Sequence, residues 1–273
     1  MVHGRWRFVL PDGEELPPQP IAPDEPFPVL ARTDPFAIHA CLQRRELLLA
    51  LGGFDSSLVT CEDWDLFQRM ARAGARFASV DRLVALYRLR GGSAMSMTNR
   101  LARDAVTVIE RGHRPDPRVP EPDARYEAGA DPAGLGEAVL MTAAWIAALA
   151  IGRGARFEEV LAAVGEAHEA ALDPAAVADS VADALPRGVP CPPSLWPELW
   201  LTAARPVGEL LDALQEIARA PGLAGRAGAA LERRALERAA PRDLTAIGRM
   251  AAMELELAAP TADVALPDGV EKL

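Results

Sequence analysis

The spacing of apolar and polar residues differs between the two ends of the chain. In the first hundred residues, short runs in which apolar and polar positions alternate predict strands. These runs are Arg5–Leu10, Glu14–Leu16, Phe77–Val80 and Leu83–Leu89. The first two flank Pro11-Asp12-Gly13, which is typical of a tight turn. Two helices are predicted between the second and third runs, one within Phe36–Leu51 and one over Glu62–Ala73. Each stops at glycine, which suits a left-handed helix cap.

Beyond about residue 133, the pattern is helical throughout. Windows rich in Ala and Leu with helical spacing lie at Gly134–Ile151, Phe157–Leu172, Pro174–Leu185, Val207–Ala220, Leu223–Ala239 and Asp243–Leu257. Asp173 followed by Pro174 predicts a helix N-cap with proline in the first turn. This part of the chain is predicted to be an all-α domain.

A proline-rich stretch separates the two patterns. Prolines at 115, 117, 120 and 122 bar a continuous helix and favour extended backbone. The chain before this stretch is almost neutral, whereas the chain after it is strongly acidic. We therefore predict an α/β domain over residues 1–114, a stiff linker over 115–132 and a helical domain over 133–273.

Composition excludes several classes of function. The net charge of −10 argues against a nucleic-acid partner, since phosphate backbones need a basic surface. The three cysteines give neither a zinc pattern nor an even disulfide framework, which favours the reducing cytoplasm. The most apolar stretch, Ala138–Ile151, is shorter than the roughly 20 residues that a membrane span needs. It is predicted to be a buried core helix, and no membrane span is expected.

Three carboxylates crowd the predicted start of the second helix. Glu62, Asp63 and Asp65 fall within its first turn, where free N–H groups and the helix dipole stabilise anions. An ionised carboxylate aimed into a cleft can serve as a general base. The alternative interpretation is structural, because Thr60-x-x-Asp63 also fits a capping box with Asp in place of Glu.

The segment around these acids resembles the acceptor-side half of family 2 glycosyltransferases, which are inverting enzymes of GT-A fold. The resemblance covers about residues 30–98 and says nothing about residues 133–273. The matching motifs, in chain order, are Arg44-Arg45-Glu46-Leu47-Leu48, Gly52-Gly53-Phe54-Asp55, Glu62-Asp63-Trp64-Asp65-Leu66, Arg69 with Gly74, Phe77-Ala78-Ser79-Val80, and Tyr87-Arg88. It implies a partial nucleotide-diphospho-sugar transferase fold. Galactosyltransferases have a similar acidic helix start.

The resemblance also implies roles for the acids. Asp63 would be the catalytic base that deprotonates the acceptor hydroxyl. Glu62 would bind acceptor hydroxyls, and Asp65 would support either the loop or the acceptor. Trp64 would offer an apolar face to a sugar ring, although a core tryptophan is an equal alternative. The backbone of Gly52-Gly53 would border the acceptor pocket.

Two further positions follow from the comparison with that family. Many members place a histidine two residues after the Tyr-Arg pair, whereas this chain has Arg90, which can neutralise a phosphate but cannot ligate a metal. A solvated surface arginine is the even alternative. His39 precedes the arginine-rich helix, and we interpret it as a core histidine, with a position facing the cleft as the alternative.

Members of the family hold the donor through a divalent metal, Mn²⁺ or Mg²⁺, bound by an Asp-x-Asp motif. No such motif precedes residue 30, so no metal ligands are predicted, and the donor half is expected to be missing or separately encoded. The predicted function is inverting transfer of a sugar from a nucleotide-sugar to the hydroxyl of a saccharide or other acceptor. The alternatives are a non-catalytic remnant and an interaction module with an acidic helical domain.

Overall fold

The computed structural model describes residues 1–90, 97–165, 169–189, 191–192 and 195–239. In this part of the chain, a small mixed three-stranded sheet at the N-terminal end is followed by a mostly helical region of about seven helices. The predicted order of an α/β part and a helical part is therefore confirmed at this coarse level. The predicted helix Asp243–Leu257 and the Gly91-Gly92-Ser93 segment lie outside the described residues.

The longest strand pairing in the sheet joins its first and last strands. Strand β1 (Val2–Val9) lies in the centre, antiparallel to β2 (Cys41–Leu42) and parallel to β3 (Ala78–Arg88). The predicted turn after β1 is present, and the predicted return strand is reduced to a single antiparallel bridge between Val9 and Glu15. The runs predicted as two strands, Phe77–Val80 and Leu83–Leu89, form the single strand β3. Its pairing with β1 continues past residues 81–82 through a shift in register.

Four helices lie in the N-terminal part, counted over residues 1–90 and 97–114. They are α1 (Phe27–Leu30), α2 (Arg45–Ala50), α3 (Glu62–Arg72) and α4 (Thr98–Gly112). Helix α3 agrees with the prediction to within a residue. Helix α2 lies within the predicted window Phe36–Leu51, and a 3₁₀ turn and β2 occupy the residues before it. Helices α1 and α4 were not predicted.

Five helices follow among the described residues of the C-terminal part. They are α5 (Leu135–Gly152), α6 (Glu158–Val164), α7 (Pro174–Gly188), α8 (Trp196–Ala218) and α9 (Leu223–Ala239). Asp173 caps α7 as predicted, accepting hydrogen bonds from the N–H groups of Ala175 and Ala176. The window predicted as one helix over Phe157–Leu172 is wrong beyond Val164, because Gly165 leaves the helix with a positive φ of 84°.

One hydrophobic core runs through both parts of the described chain. It joins Phe27 and Phe67 of the N-terminal part to Leu140 and Leu231 of the helical part, all of which are almost fully buried. Helix α4 packs against α5 and α6 and so connects the two parts. The division into separately folding domains remains a prediction.

The segment predicted as a linker packs against the N-terminal helices. Val119 is 3% exposed, and the ring of Tyr126 stacks on Phe27 with centroids 4.5 Å apart. The N–H of Asp123 donates to the carbonyl of Arg72 at 2.7 Å. Limited proteolysis is therefore expected to be slow at this segment, despite its prolines and arginines, since cleavage requires local unfolding.

Among the described residues, one helix is long and apolar enough to cross a membrane, from Pro132 to Gly152. The protein itself buries 61% of its most apolar window. Val139, Leu140 and Ala144 have no exposed surface, as predicted for a core helix. The length and composition of this helix are therefore weak evidence for or against a membrane span.

Helices α5 and α7 cross at a pair of glycines. A Cβ atom on Gly188 would lie 2.3 Å from the carbonyl oxygen of Leu149, and one on Gly152 would lie 2.1 Å from that of Leu185. We expect Gly188→Ala to lower the free energy of unfolding by about 3 kcal/mol, the upper end for overpacking, because the obstacle is backbone. Urea unfolding followed by circular dichroism measures this.

Gly208→Ala is the matched control for this prediction. Gly208 lies inside α8, and a Cβ atom there would meet nothing within 4 Å. Alanine at this position should stabilise the helix by roughly 0.5–1 kcal/mol. Equal effects of the two substitutions would contradict the close crossing of α5 and α7.

Candidate functional site

One arginine of α3, Arg69, fixes the start of the loop between α2 and α3. Gly52 and Gly53 both have positive φ, 80° and 69°, which turns the chain sharply after α2. The Arg69 guanidinium donates to the carbonyl oxygens of Leu51 at 2.5 Å and Gly53 at 2.7 Å. A Cβ atom on either glycine would meet nothing within 4 Å, so the outer side of this turn is open.

Two aspartates fix the rest of the loop. Asp55 accepts hydrogen bonds from the N–H and hydroxyl of Ser57, which lower its pKa to about 2 together with the nearby Arg111 guanidinium. Asp104 of α4 accepts from the N–H and hydroxyl of Thr60 at 2.9 and 3.0 Å. Burial works to raise the pKa of Asp104, but hydrogen bonds from Arg100 and Thr60 outweigh it and lower the pKa.

Asp65 is enclosed by arginines. It has no exposed surface, and its carboxylate accepts from Arg69 at 2.9 Å, from Arg111 at 2.8 Å and from Arg118 at 2.9 and 3.1 Å. Arg69 in turn holds the glycine turn. Of the two roles implied for Asp65, this geometry supports the loop rather than contact with an acceptor.

Trp64 is a core residue in this structure. It is 4% exposed, and its indole N–H donates to the carbonyl oxygen of Leu30 at 2.6 Å. This bond ties the start of α3 to the end of α1. The indole cannot present a face to a sugar without leaving the core, so the geometry favours the structural alternative.

Asp63 differs from the other acids in the loop region. It is partly exposed, and Oδ1 accepts from the N–H of Trp64 at 2.9 Å. No ion pair of Asp63 is found among the described residues. Burial raises the pKa of its carboxyl, partly opposed by the Trp64 N–H, and the charge of Glu62 raises it further.

The capping-box interpretation is wrong. The residue before α3 is Cys61, which has a left-handed backbone (φ 61°) and makes no side-chain capping bond. The Thr60 hydroxyl donates to Asp104 instead. A non-glycine residue in this conformation is strained, and such strain often accompanies functional sites.

Asp34 was not predicted to belong to this region. Burial raises its pKa well above the ordinary value, and the negative charge of Asp63 adds to the rise. Asp34 also accepts from the N–H of Phe36 at 2.9 Å. Burial, with the charges of Asp34 and Asp63, raises the pKa of the Cys41 thiol to about 12. The groups around Asp63 therefore favour their neutral forms.

We expect Asp34→Asn to stabilise the protein at neutral pH. A carboxyl whose pKa is raised on folding contributes most to stability below its ordinary unfolded pKa, and that contribution is lost as pH rises through the folded pKa. Asparagine mimics the protonated form and can still accept from Phe36. The gain in melting temperature should be present at pH 7.5 and should shrink as pH falls toward 4.

Asp131→Asn is the control, since exposed Asp131 accepts a backbone N–H two residues ahead in the same way. Its effect should not change in this manner with pH. A lower melting temperature of Asp34→Asn at pH 7.5 would contradict the burial of this carboxyl.

The remaining predicted residues lie at the surface. Glu62 is partly exposed beside Asp63. Arg90 is exposed just past the end of β3, and no ion pair joins it to Glu62 or Asp63. The structure thus brings Glu62 and Asp63 together next to the loop and leaves Arg90 without a shown contact to them.

Several residues that build the site lie far away in sequence. Arg111, Asp104 and Arg118 reach the loop from more than forty residues along the chain. The Asp65–Arg69 and Arg100–Asp104 pairs had a local signal, because residues four apart on a helix are neighbours. The arrangement gives a turn held by Arg69 and, at the start of the same helix, the partly exposed Asp63, whose carboxyl has a raised pKa.

Comparison with models of protein families, with curated proteins and with solved structures found no match for this chain.

Proposed function

We propose that this chain carries the acceptor side of an inverting glycosyltransferase of GT-A fold, with Asp63 as the catalytic base. The observation that supports this most is the contrast among the acids. Asp55, Asp65 and Asp104 are held by arginines, whereas Asp63 has a raised pKa and no ion pair among the described residues. A base that works near neutral pH benefits from such a shift.

The proposed reaction uses few groups of this chain. Asp63 takes the proton of the acceptor hydroxyl, whose oxygen forms a bond to the anomeric carbon of the donor sugar. The bond from that carbon to the diphosphate breaks, and the nucleotide leaves with the electron pair. Attack from the opposite face inverts the anomeric centre. Glu62, next to Asp63, would bind another acceptor hydroxyl.

The donor must be bound elsewhere. Across the residues that the structure describes, no group of three or more His, Cys, Asp or Glu side chains could hold a metal ion. The described residues therefore do not fit the Mn²⁺ or Mg²⁺ of the family. We propose that a donor half, separately encoded or contiguous in a longer chain, supplies the nucleotide-sugar site and the metal. Arg90 would meet the diphosphate at that junction.

The exposed apolar strand β3 favours such a partner. Strand β3 is an edge of the three-stranded sheet, and four of its apolar side chains are 41–52% exposed: Val80, Leu83, Val84 and Leu86. Long apolar edge strands invite pairing with another strand. The same observation supports the second candidate function, an interaction module or non-catalytic remnant that binds a partner without transferring sugar.

We propose a cytoplasmic location, because Cys41, Cys61 and Cys191 are free thiols. Neither a nucleic-acid partner nor a membrane span is part of the proposal.

The test is sugar transfer from labelled UDP- and GDP-sugars with Mn²⁺. It compares the chain alone with the chain expressed together with an Asp-x-Asp-bearing donor half. We expect negligible transfer and weak donor binding from the chain alone, and transfer when an Asp-x-Asp-bearing half is present. Binding to a donor half without any transfer would favour the interaction module instead.

A further inference from the structure

A group of aromatic rings lies on one face of the sheet. Trp6 and Phe8 are two residues apart on β1, with ring centroids 4.9 Å apart. Tyr87 of β3 is paired with Phe8 and lies 5.2 Å from that ring and 5.8 Å from Trp6. His39, from the turn before β2, lies 5.1 Å from Tyr87. Four rings from three parts of the chain thus meet.

The rings are unequally covered. Phe8 is 3% exposed, and the Arg187 guanidinium of α7 lies over its ring at 4.4 Å. Trp6 and Tyr87 are only partly buried. His39 is exposed, so its interpretation as a core histidine is wrong. We call Trp6, Tyr87 and His39 the aromatic platform. It combines large apolar ring faces with an imidazole and a phenol that can form hydrogen bonds.

The charge of the proposed base acts on the aromatic platform. Burial raises the pKa of the Tyr87 hydroxyl, and the negative charge of Asp63 raises it further. Under the proposed function, an acceptor lying on the platform would present a hydroxyl to Asp63. Trp64, buried in the core, cannot serve this purpose.

We propose that the aromatic platform is a saccharide subsite, on which a pyranose ring of the acceptor stacks with its apolar face against Trp6 and Tyr87. This inference rests on the proposed function and specifies its acceptor as a carbohydrate. The C–H groups of a pyranose face match an aromatic ring, and the equatorial hydroxyls at its edge can reach His39 and Tyr87.

Saturation-transfer NMR on the full chain tests the platform. The probes are methyl β-glucoside, methyl β-galactoside and methyl α-mannoside, each at millimolar concentration. We expect at least one glycoside to bind, and we expect Trp6→Leu and His39→Ala each to weaken that binding roughly threefold to tenfold. Tyr87→Phe keeps the ring and should weaken it less than Tyr87→Leu.

Trp200→Leu is the matched control. Trp200 is also partly buried and stacks on another ring, Trp196, with centroids 6.1 Å apart, but it lies on α8. The Trp200→Leu substitution should leave glycoside binding unchanged. Because Trp6→Leu could disturb the small core around Phe8, exposed His39 provides the variant that leaves that core intact.

The outcomes separate this inference from the proposed function. Absence of binding by all three glycosides, or unchanged binding in both Trp6→Leu and His39→Ala, would overturn the subsite. If the protein transfers sugar but no glycoside binds to the platform, the proposed function stands and the saccharide subsite is overturned. Glycoside binding that is lost in the platform variants, in a protein that transfers no sugar with any donor half, would keep the subsite and remove the transferase.

Discussion

Replacing Asp65 by asparagine is expected to lower the free energy of unfolding by about 3–5 kcal/mol, the range for breaking a buried ion pair. Asp65 is fully buried and is the common partner of Arg69, Arg111 and Arg118. Asparagine has nearly the same shape but offers one acceptor oxygen and no charge. Arg69, only 3% exposed, would lose its carboxylate partner, and its hold on the Gly52-Gly53 turn would weaken.

Thermal unfolding measures this loss, and a fall of roughly 10 °C is expected for a chain of this size. Glu209→Gln is the control. It removes the acid of an exposed pair, Arg205–Glu209, in which the side chains are 90% and 52% exposed. Solvent screens such a pair, so the melting temperature should hardly change. Similar small effects of both substitutions would show that the arginines do not depend on Asp65.

The parts of the fold that follow local rules were predictable. Helix α3 begins where acids gather and ends before Gly74, whose φ is +71°. The cap of α7 required only Asp173 and the proline after it. The turn after β1 followed from Pro11-Asp12-Gly13. In each case the residues that decide the element are its own neighbours.

The different environments of the acidic side chains on α3 were harder to predict. Asp63 and Asp65 look equivalent in sequence, but residues two positions apart on a helix point about 200° apart, so Asp65 is fully buried against Arg69 whereas Asp63 is partly exposed. Arg111 and Arg118 reach Asp65 over 46 and 53 residues. No local pattern indicates such a contact.

Helix α4 and the packing of the proline-rich segment were not predicted, for a related reason. Helix α4 buries Ala102, Ala105 and Val108 at threefold spacing, a signal that was available, but it also buries the charged Asp104. The prolines after it predict extended backbone correctly, yet extended backbone can still pack. Arg118 packs against α3 because it binds Asp65, and Tyr126 packs against α1 because its ring stacks on Phe27. Only the tertiary structure reveals these contacts.

Replacing Asp63 by asparagine is expected to reduce sugar transfer at least ~10²-fold in a protein that includes a complete donor half. Asparagine can still accept the hydrogen bond of the Trp64 N–H, so the start of α3 should stay intact. It cannot take the proton of the acceptor hydroxyl. Since the substitution also removes a partly buried charge, the melting temperature should be unchanged or higher.

The pH profile distinguishes a base from a structural aspartate. If Asp63 is the base, transfer by the wild-type protein should fall as pH decreases through its raised pKa, and the residual activity of Asp63→Asn should lack that limb. Glu62→Gln, one residue away, should mainly raise the KM for the acceptor, because Glu62 is proposed to bind a hydroxyl rather than to move a proton. Activity of Asp63→Asn within a few-fold of wild type, with the acid limb retained, would assign the proton transfer to another group.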